Sequence, residues 1–413
     1  MVFIIKLKEN KIGVNSFWSR ILNYLYFIFF FFEGLIYFFS ILYKYFYFNF
    51  TFKYFENFYF NKNIKIFANV NLNEEEILRN SKFDLIHWIN ETFKDDKNIF
   101  FINKNIKKKI KDDIFCIPDP LFFYIKKLNI FKFIINFFII FFSVIVDFFF
   151  LKFSNLILFK EKIEASIINC SSLNKEINYY FIFTQNIKRP LWTYEILKKN
   201  SKVSIVCLNL FTDMKINDDK YYSPDIDAYH LCSWDNYFIW TDNCEKFLIN
   251  RLIKNSSFKK DRPNFTKIGI IYFKDSNKNL NFPKKRKIAL FTYERHKFSP
   301  GVGTIAEWQY KNPKLLWDFY NTIIDITDEL GIQIIIKRKR NLKQNISIRR
   351  IEGLFNKLSK NQNVSIIDPD HSAYKLLLEC DATISQPFTS VGYAAKKLNK
   401  PSIYFDPTKE LKF

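Results

Sequence analysis

Four basic residues in a row, Lys337-Arg338-Lys339-Arg340, follow directly on the apolar run Ile332-Gln-Ile-Ile-Ile336. Lysine offers a compact positive charge and arginine a planar fork that grips two phosphate oxygens at once. The run therefore suits the neutralisation of a phosphate and its stabilisation as a leaving group. Alternation along a strand turns only some of these side chains inward, and Lys337, Lys339 and Arg340 are the candidates. A solvated loop in a lysine-rich chain has the same composition. What sets this run apart is its place at the carboxyl end of a strand, the side where parallel sheets bind ligands.

A second constellation, Ser385-Gln386-Pro387-Phe388-Thr389-Ser390, lies between a short apolar strand over residues 382–385 and a helix over 389–398. Pro387 has no amide hydrogen to continue a ladder, so the strand stops there. Thr389 or Ser390 then caps the helix. Hydroxyls at such a start, with the free amides and positive dipole end of the first turn, form a ready phosphate site. A Thr or Ser cap without a ligand is also commonplace.

Other reactive groups follow strands in the same way. Glu294 and His296 lie just after a strand over 287–293, ahead of the glycine-containing stretch Pro300-Gly301-Val-Gly303-Thr304. Either is placed to accept the proton of an attacking hydroxyl, with Glu307 a further candidate. The Gly-x-Gly piece is too short for a dinucleotide fingerprint and instead lets a loop approach a ligand closely. His371, in Asp368-Pro-Asp-His371, follows a strand over 364–367 and is a candidate contact for ribose or base. Nearer the amino terminus, Arg189 and Trp192 occupy a strand-to-helix turn, where Arg189 can reach a ligand and Trp192 can stack on a sugar face. Core packing is the competing role for Trp192. Trp234, Tyr237 and Trp240 read as structural, their spacing of three fitting one helix face or one packed loop.

The elements that must position these residues alternate. Residues 178–184, 203–210, 237–241 and 267–273 read as strands, with a helix over 192–199. Further along, strands over 287–293, 332–337, 364–367, 382–385 and 402–405 alternate with helices over 313–330, 346–359, 373–380 and 389–398. Gly331 ends the first of these helices as a left-handed cap. Such alternation specifies parallel, doubly wound α/β sheets. The polar run 274–287 is the expected boundary between domains 1–280 and 287–413.

With 413 residues, 48% of them hydrophobic, the chain can fill two cores. Its formal net charge of +22 is spread along a Lys-, Asn-, Ile- and Phe-rich sequence with no recognisable nucleic-acid module, so nucleic acid is not an expected partner. The six cysteines form no C-x-x-C pair, which argues against a structural zinc site or a disulfide framework. Two aromatic-rich segments, 21–50 and 130–159, resemble membrane spans but are interrupted by Glu33 and Gly34 and by Asn136 and Asp147. They fit apolar helices that pack on the first domain or lie at a membrane interface, with a single-span anchor as the alternative.

Gln386-Pro387-Phe388-Thr389-Ser390 with Lys400-Pro401-Ser-Ile-Tyr-Phe-Asp406, Arg189-Pro-Leu-Trp192-Thr-Tyr-Glu195 and Trp234-Asp-Asn-Tyr237-Phe-Ile-Trp240 resemble, in order, the motifs of the polysaccharide biosynthesis proteins named for Pro-Phe-Thr-Ser. The resemblance covers about residues 175 to 410. It implies a two-domain GT-B-like glycosyltransferase. The nucleotide-sugar would sit on residues 287–413 as a substrate, with no cofactor and no metal, and a glycan or lipid-linked glycan acceptor on residues 1–280. Thr389 and Ser390 would then hold phosphate oxygens beside Phe388 at the nucleoside. The scattered cysteines, expected as reduced thiols, and the apolar N-terminal helices point to the cytoplasm, peripheral at the inner face of the plasma membrane. A CDP-polyol phosphotransferase of related fold and a non-catalytic component of a polysaccharide assembly complex remain the alternatives.

Overall fold

A computed structural model describes residues 16–51, 64–68, 99–102, 114–117, 119–149, 154–182, 189–207, 214–216, 221–222, 234–252, 263–270, 286–292, 313–337, 348–367, 373–387, 389–407 and 411–412. The described residues up to Phe181, with Arg189–Ser204, form one compact unit, and Ile182 with those from Ile205 onward form another, so the last residues of the strands at Ile177–Ile182 and Val203–Val206 are counted with the second although the strands are described with the first.

The first unit contains, in chain order, α1 (Ser16–Thr51), β1 (Ile64–Ala68), β2 (Ile99–Ile102), β3 (Ile114–Ile117), α2 (Phe122–Lys126), α3 (Ile130–Phe149), α4 (Ser154–Ile157), α5 (Phe159–Cys170), β4 (Ile177–Ile182), α6 (Trp192–Leu197) and β5 (Val203–Val206). Its strands lie in the order β3-β2-β1-β4-β5. β3, β2, β1 and β4 pair in parallel, with Ile66 opposite both Phe100 and Tyr179 and Phe100 opposite Phe115. β5 is buried at every position, as expected of a parallel strand covered on both faces.

The long helices α1 and α3 run antiparallel, because Phe38 stacks on Phe133 and Phe137 while Phe31, earlier in α1, meets Phe141, later in α3. α5 packs against both. Gly34 permits this: a Cβ there would fall 2.2 Å from the Phe159 ring. The segment expected to be one apolar stretch over 130–159 is therefore α3 and α4, with Phe159 opening the separate, charged helix α5. Glu33 and Gly34 do not break α1 but seat α5 against it.

The second unit contains β6 (Met214–Ile216), β7 (Tyr221–Tyr222), β8 (Asn236–Ile239), α7 (Asp242–Leu252), β9 (Asn264–Lys267), β10 (Lys287–Phe291), α8 (Pro313–Glu329), β11 (Gln333–Lys337), α9 (Ile348–Leu358), β12 (Val364–Ile367), α10 (Ala373–Glu379), β13 (Ala382–Ser385), α11 (Ser390–Lys397), β14 (Ser402–Tyr404) and β15 (Leu411–Lys412). β8 and β9 pair in parallel, and β15-β6-β7 form a small antiparallel sheet. Trp234, Tyr237 and Trp240 thus belong to a strand and its flanks and not to a helix face. The period-two burial of β8, with Tyr237 and Ile239 inward, overrides their spacing of three. β9, Asn264–Lys267, lies ahead of the strand expected over 267–273 and meets it only at Lys267.

The five-stranded sheet has the order β12-β11-β10-β13-β14, parallel throughout. Alternation along β10 sends Leu290 into a cluster with α8 and α9, and Ala289 and Phe291 into one with α10 and α11. Helices thus cover both faces, the doubly wound arrangement read from the sequence. Gly331 adopts φ +64°, and the Ile332 N–H returns to the Thr327 carbonyl at 3.0 Å to close α8. Asp381 and Lys287 fix the register of β10 and β13. The Lys287 N–H donates to Asp381 Oδ2 at 2.7 Å, and the Asp381 N–H donates to the Lys287 carbonyl at 2.9 Å.

Candidate phosphate site at the sheet reversal

From β10 the chain winds outward through β11 to β12, then returns to the other side of β10 with β13 and β14. The crevice above the carboxyl ends of β10 and β13 is consequently the point where such sheets bind ligands. One row of paired residues marks this edge: Ile367, Lys337, Phe291, Ser385 and Tyr404, from β12 across to β14. Lys337 and Ser385 flank the row's centre, and Lys337 is only 8% exposed.

The Pro387 turn leaves from this row. Its entry is held by the Gln386 N–H on the Phe291 carbonyl at 3.0 Å and the Phe405 N–H on the Ser385 carbonyl at 3.0 Å. Its exit is held by the Tyr404 hydroxyl, which donates to the Thr389 carbonyl at 2.8 Å. Burial pushes the Tyr404 phenol up to about 12, so it stays protonated as that donor. Gly392 is the close approach that permits this: a Cβ there would lie 2.6 Å from the Tyr404 ring and 3.0 Å from Ser385 Oγ.

Thr389 occupies the N-cap position of α11 with extended backbone, φ −73° and ψ 133°, yet its side chain makes no capping hydrogen bond. The expected hydroxyl cap is therefore absent. Thr389 Oγ1 and Ser385 Oγ are both buried without a hydrogen-bond partner among the described residues. Desolvated hydroxyls without partners are costly, which makes two in one turn informative. Ser385 was legible in the sequence only as a strand end. Its Oγ lies beside Gly392, where a Cβ would come within 3.0 Å of it.

Lys400 is another residue whose role the sequence hid. Its ammonium donates to the carbonyls of Leu377, at 2.5 Å, and Leu378, at 2.9 Å, and to that of Cys380. It thereby ties the end of α10 to the start of β14, while burial lowers its pKa.

Of the other expected site residues, Pro387 is buried and Ser390 opens α11 beside the turn. Phe388, Glu294, His296, Glu307, Lys339, Arg340 and His371 lie outside the described residues. In the first unit Arg189 is 4% exposed. Its Nε donates to Thr193 Oγ1 at 2.9 Å, and its guanidinium lies 4.0 Å from the centre of the Tyr194 ring. Trp192, also 4% exposed, packs against Tyr179 and Phe181. Its ring is a core residue of that unit. Among the described residues no three His, Cys, Asp or Glu side chains cluster as metal ligands would.

Fold and site together define an open parallel α/β sheet with unengaged hydroxyls at its reversal point. The family description "Polysaccharide biosynthesis PFTS motif protein" matches residues 142–413, and the chain belongs to that family. Among solved structures it is similar to the wall teichoic acid polymerase TagF, at 14% identity over 83% of this chain and 69% of that one, TM-score 0.38. It is similar too to an E. coli structure described as trehalose-6-phosphate bound with UDP-2-fluoro glucose, at 11% identity over 83% of each chain, TM-score 0.41. A third is a UDP-forming trehalose-phosphate synthase from Burkholderia vietnamiensis, at 10% identity over 83% of this chain and 82% of that one, TM-score 0.39. No curated protein matches the sequence.

Proposed function

We propose that the chain is a glycosyltransferase that moves a sugar from a nucleotide-sugar donor to a glycan or lipid-linked acceptor in surface polysaccharide biosynthesis. The observation that carries this reading is the pair of buried hydroxyls, Ser385 and Thr389, at the reversal of the five-stranded sheet. Hydroxyls of that kind, beside a helix start and in one row with a lysine, suit the oxygens of a nucleotide phosphate. In this reading residues 287–413 hold the donor. An acceptor hydroxyl attacks the anomeric carbon as the bond from that carbon to the phosphate oxygen breaks. The hydroxyl proton passes to His296 or Glu294, with Glu307 as a further candidate. Lys337, Lys339, Arg340, Ser390 and the first amides of α11 take up the charge of the departing phosphate, while Phe388 and His371 contact the nucleoside. The enzyme works in the cytoplasm, held peripherally at the membrane where a lipid-linked acceptor resides.

Calorimetric titration with UDP-, GDP-, CMP- and CDP-activated donors tests this. One nucleotide class should bind, and that binding should weaken in Ser385→Ala. If CDP-polyols bind and a polyol phosphate reaches the acceptor, the chain is a phosphotransferase. If nothing binds, the turn is structural and the transferase reading fails.

A further inference from the structure

We infer that α1 and α3 form a raft that lies in the plane of an anionic bilayer surface, with one apolar face of each helix in the lipid and neither helix crossing it. This deepens the membrane association proposed above and rests on that part of it.

Both helices are long and apolar enough to span by composition, at Ile28–Thr51 and Ile130–Asp147, but only 17% of each window is buried. They are not the core helices of a soluble fold. On α1, Phe32, Ile36, Phe39, Tyr43, Phe46 and Phe50 are exposed at steps of three and four, from 53% at Phe46 to 72% at Phe50. On α3, Phe131, Ile135, Phe138, Phe142, Val146 and Phe149 repeat the pattern, from 50% to 78%. Steps of three and four keep each set on one stripe along its helix. The buried residues Phe38, Ile41 and Phe48 of α1 and Phe133, Phe137 and Val144 of α3 lie on the opposite sides.

Those opposite sides are bonded to charged protein. Glu33 pairs with Lys160 of α5 at 2.9 Å, and Lys44 with Asp119, just before α2, at 2.5 Å. On α3, Asn136 Nδ2 donates to Cys170 Sγ at 2.9 Å, and Asp147 accepts from Asn155 of α4. These bonds are spread along the helix pair. A crossing would drag α5, with Lys160, Glu161, Lys162 and Glu164, through the hydrocarbon at prohibitive cost. Lying flat immerses only the stripes.

Lipid suits this face better than protein. The stripes are mostly phenylalanine and aliphatic, and a protein interface of this size carries about one hydrogen bond per 100–200 Å². The chain's net charge of +22 complements an anionic leaflet.

The full-length protein can be floated with phosphatidylcholine vesicles, with and without about a third phosphatidylglycerol, and with the charged variant Ile36→Glu/Ile139→Glu. Binding should favour the anionic vesicles and fall about tenfold or more in the variant. Both positions are exposed, so the variant's melting temperature and nucleotide titration should be unchanged. Environment-sensitive labels on cysteines introduced at Phe32, Phe39, Phe46 and Ile139, quenched by brominated lipids, then report depth. One shared shallow depth supports the raft. A depth that passes through the bilayer centre along α1 means a span and overturns it, while leaving membrane association intact. Absence of vesicle binding, with or without self-association in light scattering, overturns both, and the nucleotide titration tests the transferase reading separately.

Discussion

Two strand-to-helix turns, one in each unit, look alike in sequence and differ in how their polar groups are satisfied. After β4, Arg189 bonds to Thr193, and the Thr193 hydroxyl returns to the Pro190 carbonyl at 2.7 Å. These bonds stay within residues 189–193 at the start of α6. After β13, the turn's backbone is anchored from outside by Phe291, Phe405 and Tyr404, while the hydroxyls of Ser385 and Thr389 face no partner among the described residues. A Thr or Ser at the start of a helix is therefore not itself a sign of binding. The sign is a hydroxyl that burial has removed from water and the protein has not engaged.

The comparison breaks most visibly at Gly392. A valine there meets the Tyr404 ring and Ser385, so Gly392→Val should cost about 3 kcal/mol of stability by overpacking, read as a lowered denaturation midpoint. Equal stability would show that the turn is not held by Tyr404.

In the first unit, Glu164 is a half-buried polar group of the engaged kind. Burial pushes its carboxyl up to about 7, against the Lys160 charge, with Asp119 and Glu161 adding to the rise and a hydrogen bond from Tyr37 opposing it. The folded state thus holds this proton more tightly than the unfolded chain. Stability is highest below the unfolded value and declines as pH rises, the loss being complete above about 7. Glu164→Gln should remove this slope and gain about 2–3 kcal/mol at pH 8 relative to pH 4. A slope unchanged in the variant would assign the titration elsewhere.

Lys400→Met leaves the carbonyls at the end of α10 without their donor and should lower stability by about 2 kcal/mol in urea unfolding. Nucleotide affinity should follow only as far as the fold is lost. The smallest effects separate the two turns most sharply. Ser385→Ala and Thr389→Ala should each weaken nucleotide binding by about 1–2 kcal/mol, roughly tenfold in Kd, with little loss of stability. Thr193→Ala should do the reverse, lowering stability by about 1 kcal/mol and leaving affinity alone. Matching behaviour of all three would erase the distinction between the turns.

The five-stranded sheet was legible because its signals are local. Apolar strands alternate with helices, Gly331 closes α8, and Pro387 stops β13. The first unit was harder to read. Its phenylalanine-rich run continues to Phe159, so composition alone did not mark where α5 begins. β3, four residues set among lysines and aspartates, and the two- and three-residue strands β6, β7 and β15 are too short to show a period. At the site, position was readable and engagement was not. That Ser385 Oγ lies beside Gly392, seven residues on, shows only in three dimensions. Lys400 was visible as part of a motif, while its grip on the end of α10 depends on where β14 starts.

The Asp381–Lys287 clamp joins residues 94 positions apart, whereas β10, β11 and β12 follow one another along the chain. Distant pairings form late because a long loop must close first. Assembly of the sheet should then proceed through β10, β11 and β12, with β13 and its edge partner β14 arriving last and bringing the Pro387 turn with them. Nucleotide capture during refolding would in that case lag behind the burial of Leu290 and Ile334, making ligand retention a marker of a fully finished molecule.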